Sequence, residues 1–200
     1  MPIVTPFEQL SAFFEHNEAM LTLLGGGAAG AFALTRYWAD QRWTKKQFAF
    51  DYAQRVFDDP KAMTALRMLD WSNGEMPEGI AAEYGLDPAG RAWDAALVAS
   101  ALRVHDADPA KPQGEQYPPL EYAIRELFDV LLAHLERIGH FVKSGVLAID
   151  DVPASLAYYA RLMEEERSKD VWRPLQRYML RYGYADALQL FERILKGSAR

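Results

Sequence analysis

Arg173, Arg177 and Arg181 recur every four residues, interleaved with Trp172, Tyr178 and Tyr182. On a helix, side chains four apart share a face. Three guanidiniums on one face are permanently charged planar forks that suit carboxylates and phosphates. The chemistry on offer is anion capture: an acidic partner, a phosphate or an anionic lipid headgroup. The competing reading is a solvated or internally neutralised face, because Glu164, Glu165 and Glu166 stand just before the stripe. Arg173, Arg177, Arg181 and Trp172 are the binding residues that the sequence nominates.

Histidine is the next place to seek acid–base or metal chemistry. There are four: His16, His105, His134 and His140. Glu136 and His140 are four apart in one helical stretch, with His134 just before them. Carboxylate-bridged di-iron bundles use Glu-x-x-His on two helices, and that pattern occurs nowhere in this chain. His105-Asp106 resembles the metal-binding dipeptide of HD-type phosphohydrolases. That resemblance also requires an upstream His in the same domain, and the only upstream one is His16. The expectation is no metal and no cofactor, with His140 serving as a favourable charge near a helix C-terminus. A Ser-His-Asp triad is a matter of geometry and cannot be read from scattered residues. The chain has no cysteine, which removes disulfides, zinc–thiolate sites and a thiol nucleophile. No catalytic residue is nominated.

Gly25-Gly26-Gly27-Ala28-Ala29-Gly30 formally matches the dinucleotide fingerprint GxGxxG. That loop needs a strand before it, a helix after it and a second strand ending in an acid. Here the sequence past Gly30 reads as helix through about Asp58, so the context fails. The same glycines lie inside Ala19–Thr35, a stretch without charge. Acids precede it (Glu8, Glu15, Glu18) and bases follow it (Arg36, Arg42, Lys45, Lys46). Seventeen helical residues cover about 26 Å, against about 30 Å of hydrocarbon. Tyr37, Trp38 and Trp43 suit the headgroup level, and Arg36 can snorkel towards it. The segment therefore reads as a short transmembrane helix over residues 19–38. A cleaved signal peptide would need a basic leader. A soluble helix would lose about 1 kcal/mol at each glycine. Gly26 and Gly30 form a GxxxG pair, which would let two such helices pack as a homodimer.

Basic residues stay on the cytoplasmic side. All 22 Lys and Arg lie from Arg36 onward. Residues 1–18 then form a short extracytoplasmic tail, and residues 39–200 a cytoplasmic domain at the bacterial inner membrane. Only three of the 28 acids precede Arg36, so the cytoplasmic part is mildly acidic. That argues against general nucleic-acid binding, which needs a strongly basic face.

The elements that must position these residues read as helices throughout. Phe48, Tyr52 and Val56 make an apolar face on a rod that ends at Asp58. Asp59 caps a new helix with Pro60 at its first position. Residues 74–87 read as loop, and Asp87-Pro88 opens a helix to about Val104 that buries Trp93, Leu97, Ala101 and Val104. Residues 105–118 form a second loop. Pro119 starts the longest soluble helix, with Ile124, Leu127, Phe128, Leu131, Leu135 and Ile138 on one face and Gly145 as its stop. Asp151 caps the next helix, to about Ser168, and two more cover 170–182 and 184–196. No strand alternation and no repeat is seen. The fold class is all-α: an N-terminal transmembrane helix continuing into a cytosolic helical bundle.

The order of acidic leader, Gly/Ala-rich span, RYWADQRWTKKQF, FDDPKAMTALRMLDW and LLAHLERIGHFVKSGVLAIDDV resembles a recurrent class of bacterial proteins. That class has one membrane helix and a small cytosolic helical domain. The resemblance covers most of the chain, but its motifs are general, and it implies neither an activity nor catalytic residues. The expected function is a membrane-anchored module that binds the bilayer and an unidentified protein partner. The alternative is a membrane-tethered enzyme acting on a phosphate-containing ligand.

Overall fold

The computed structural model describes residues 18–104, 117–162 and 169–198. His16, His105 and Glu164–Glu166 lie outside them. The chain divides at Lys45/Lys46 into two compact units. Helix α1 (Glu18–Asp58) carries the described part of the first unit and enters the second. Every described side chain from Gly30 to Lys45 is exposed.

Among the described residues, no helix is long and apolar enough to cross a membrane. The span expected over residues 19–38 finds no support there. In the part of α1 beyond Gly30, Arg36, Asp40, Arg42 and Lys45 fall within a few turns and break up any apolar run. Gly30 opens onto empty space, since a Cβ built there meets nothing within 4 Å. The side-chain surroundings of Gly26 lie outside the described residues.

The second unit is helical, in keeping with the all-α expectation, with one small exception. Asp59 accepts from the amides of Lys61 and Ala62 at 2.8 and 3.3 Å, capping α2 (Pro60–Asp70). Strand β1 (Asn73–Glu75) follows, then α3 (Glu78–Glu83), β2 (Ala92–Asp94) and α4 (Ala95–Ala101). The two strands pair antiparallel, with Gly74 opposite Trp93. This ribbon and α3 replace the loop expected over 74–87, and α4 starts seven residues later than Pro88. The true cap is Asp94, whose carboxylate accepts from Leu97 N at 2.7 Å. Trp93 is buried as expected, but from a strand. A Cβ at residue 74 would strike its indole, so glycine is needed there. Val104 is exposed rather than buried.

Helix α5 (Pro119–Lys143) is the axis of the core. Ile124, Leu127, Phe128, Leu131, Leu135 and Ile138 are all buried, as their spacing requires. Around α5 lie α2, α4 and α8 (Ala185–Ser198). The C-terminal part of α1 adds Tyr52, Ala53 and Val56 to the core, while Phe48 and Tyr52 pack edge-on against Phe141. After a 3-10 turn (Ile149–Asp151) come α6 (Ala154–Leu162) and α7 (Lys169–Tyr182). Asp151 sits in that turn and pairs with Lys46 at 3.2 Å instead of capping α6. Gly183 takes φ +86° between α7 and α8. This left-handed residue lets the amide of Tyr184 reach back to the Met179 carbonyl at 2.9 Å, closing α7.

Candidate functional site

Helix α7 is strongly two-faced. Val171, Leu175, Tyr178 and Met179 point into the core, and Arg173, Arg177 and Arg181 point outward together. The basic stripe nominated by sequence is therefore a single exposed face. Trp172 does not belong to it. Its half-buried indole packs edge-on against Phe191 at 5.9 Å, on the opposite flank of the helix.

A fourth guanidinium joins the face from another element. Arg103 follows the end of α4, and α4 packs against α7. Arg103 and Val104 on one side, with Pro174 and Arg177 on the other, line an open cavity of about 430 Å³. Among the described residues, none of Arg103, Arg173, Arg177 and Arg181 forms an ion pair. Asp170 is exposed near the N-terminal end of the same helix. Leu180, 66 % exposed, gives the face an apolar flank.

What fixes Arg103 in place is a buried arginine. Arg125, on α5, is 6 % exposed. Its guanidinium donates to the Ala101 carbonyl at 2.7 Å, to the Arg103 carbonyl at 3.2 Å and to the Tyr182 hydroxyl at 3.0 Å. The last carbonyls of a helix have no partner within it, so a cation there stabilises α4 twice, by hydrogen bonding and by the helix dipole. Three rings surround the charge: Tyr117 at 4.3 Å, Tyr178 at 4.8 Å and Tyr182 at 5.4 Å. One turn further along α5, Asp129 accepts from the hydroxyls of Tyr178 and Tyr184 at 2.8 and 3.0 Å. Burial pushes its carboxyl above the ordinary aspartate range, although both hydroxyls and Arg125 pull the other way. Burial, followed by the adjacent Asp129 charge, pushes both tyrosines well up, so they remain neutral donors. This network ties α4, α5 and α7 beneath the basic face.

The histidine constellation resolves into two structural joints. His134 Nε2 lies 3.3 Å from the Asp59 carboxylate that caps α2. Burial raises the Asp59 carboxyl, but the Ala62 amide, His134 and the Lys61 amide together hold it below its ordinary value. Glu136 accepts from the amides of Asp186 and Ala187 at 3.2 and 2.8 Å, capping α8 from a neighbouring helix. Asp186 in turn takes Lys143 at 2.6 Å and His140 Nδ1 at 3.4 Å. The Lys143 hydrogen bond holds its carboxyl below the usual range. Among the described residues, no group of three or more His, Asp and Glu side chains could hold a metal ion.

Arg103 and Arg125 were not legible as site residues. Arg125 sits at the edge of an apolar stripe, where an arginine reads as solvated. Arg103 precedes a loop and has no periodic partner. Compared with protein-family models, curated proteins and solved structures, the chain matches none.

Proposed function

We propose that the helical domain is a docking module that binds an acidic segment of a partner protein on the Arg103–Arg177 face. The observation that carries this is the convergence of Arg177 from α7 and Arg103 from the end of α4 on one open cavity, neither of them ion-paired among the described residues. Unpaired, exposed charges of one sign attract and orient an oppositely charged surface. Arginine does not give up its proton at any physiological pH, and among the described residues the cavity lining of Arg103, Val104, Pro174 and Arg177 contains no acid–base group. That favours binding over turnover. Attachment to a membrane through α1 belongs to the same proposal. Its support is the uncharged run Ala19–Thr35, whose described members Phe32 and Leu34 are exposed, followed by exposed Tyr37, Trp38 and Trp43. With the basic residues beyond that run, the domain would face the cytoplasm.

A labelled oligoglutamate peptide serves as the first probe. It should bind the wild type in a salt-dependent manner. The double variant Arg103→Glu/Arg177→Glu should bind at least about tenfold more weakly, each reversal replacing a rim attraction by repulsion. Far-UV circular dichroism should be unchanged, because both side chains are exposed. Equal binding by wild type and variant refutes the docking face. Competition by millimolar inorganic phosphate would redirect the same residues towards a phosphate-containing ligand.

A further inference from the structure

Residues 36–45 of α1 read Arg-Tyr-Trp-Ala-Asp-Gln-Arg-Trp-Thr-Lys, and every one of them is exposed. Trp38 is 63 % and Trp43 70 % exposed, with Tyr37 alongside. Tryptophan is highly buried on average in a water-soluble fold, so two this open in one short segment stand out. Their arrangement says what kind of surface. At about 100° per residue, Trp38 and Trp43 stand roughly 140° apart around the helix. Arg36, Arg42 and Lys45 are likewise spread around it. A helix that docks into a groove, or lies flat on a bilayer, concentrates its apolar residues in one stripe. Here the aromatic and basic residues form a girdle instead. Trp and Tyr beside Lys and Arg, at the end of an apolar run, is the composition found at the headgroup level of a bilayer. The run before the girdle, Ala19–Thr35, is uncharged, and its described members Phe32 and Leu34 are exposed.

The charge selects the lipid. Arg36, Arg42 and Lys45 outweigh Asp40, leaving the segment with two net positive charges. Lys46, the next residue, is left out of this count because its ammonium pairs with Asp151. We infer that residues 36–45 form a girdle that binds the headgroups of anionic phospholipids. The inference rests on the membrane attachment proposed for α1, but not on that helix crossing the bilayer.

The test is flotation of the full chain with two kinds of vesicle, phosphatidylcholine alone and phosphatidylcholine mixed with phosphatidylglycerol. Two net charges near an anionic surface give a preference of about thirtyfold for the mixed vesicles at low salt. The preference should shrink as salt is raised. Arg36→Gln/Arg42→Gln/Lys45→Gln should abolish it while leaving residual binding to both kinds. Equal flotation of the wild type with both vesicles overturns the girdle and leaves the attachment standing. Flotation with neither overturns both. A second measurement reads depth. Vesicles brominated near the headgroup should quench tryptophan fluorescence of the wild type. In Trp38→Phe/Trp43→Phe, binding should persist with most of that quenching gone. Undiminished quenching in that variant overturns the placement.

Discussion

Arg125→Lys keeps the charge and removes the fork. The guanidinium makes three hydrogen bonds, to the carbonyls of Ala101 and Arg103 and to the Tyr182 hydroxyl, while stacked among three tyrosine rings. A lysine ammonium on a flexible stem can keep the shortest of these, to Ala101, but has no rigid plane that reaches the other two. Each lost bond costs about 1 kcal/mol net. The weaker fit of an ammonium among the rings costs roughly another 0.5–1 kcal/mol. The expected destabilisation is therefore about 2.5–3 kcal/mol. Urea unfolding at neutral pH measures it, as a lower midpoint with an unchanged m-value. The same variant should also weaken oligoglutamate binding. Arg125 is too buried to touch a ligand, but it anchors the carbonyl of Arg103, which lines the cavity. Arg177→Glu should show the converse: weaker binding with stability nearly unchanged. If Arg125→Lys unfolds within about 0.5 kcal/mol of wild type, the spread expected of an ordinary surface change, the fork does not hold the end of α4. The account of how the face is assembled would then be wrong.

Gly139→Ala, normally worth about 1 kcal/mol of added stability in a helix interior, should here be destabilising. A Cβ at residue 139 would collide with the backbone carbonyl of Asp186 where α5 crosses α8, and overpacking of this kind costs about 1–3 kcal/mol. A higher urea midpoint than wild type would contradict the crossing. Gly197→Ala, where a Cβ meets nothing within 4 Å, is the control and should not lose stability. Tyr178→Phe removes one of two hydroxyls that donate to the half-buried Asp129 carboxyl, and should cost about 1–2 kcal/mol in the same assay; a neutral result would show that water replaces the hydroxyl. Acid should weaken the fold through Asp59 and Asp186, whose carboxyls are both held below their ordinary value. Their contribution is complete above about pH 4, the unfolded value, and is lost as pH falls through the depressed folded values. Asp129 works in the opposite sense: its raised carboxyl takes up a proton more readily when folded, so its contribution is lost as pH rises through that value. Asp186→Asn should therefore lower the urea midpoint at neutral pH and flatten its decline below about pH 4. A decline parallel to wild type would exclude Asp186 as a source of acid sensitivity.

The features legible in the sequence are those that one helix decides alone. The apolar spacing of α5 is such a feature, because the 3.6-residue period puts Ile124, Leu127, Phe128 and Leu131 on one side whatever packs there. The capping of α2 by Asp59 needs only its own next three residues. The outward face of Arg173, Arg177 and Arg181 follows from their spacing. The β1–β2 ribbon escaped because its strands are three residues each, too short for a period of two to stand out against noise. Trp93 and Leu97 then imitated helical spacing across what is a strand followed by a helix.

Juxtapositions between helices were not legible, and they decide which polar residues hold the fold together and which are left to bind. Glu136 and His140 have the spacing of metal ligands, yet both are spent on the first turn of α8: one caps its amides and the other faces Asp186. The buried arginine is the isolated one at the edge of an apolar stripe, while the arginines that repeat are exposed and, among the described residues, without an ion pair. The reason is that a buried guanidinium needs partners from several directions, here the end of α4, the side chain of Tyr182 and the rings of α7, and no repeat within one helix can supply them. Arg125 therefore makes the connection that the proposed docking face depends on. By fastening the end of α4 beside α7, it sets Arg103 across from Arg177, and a charged stripe on one helix becomes a cavity with guanidiniums on two sides.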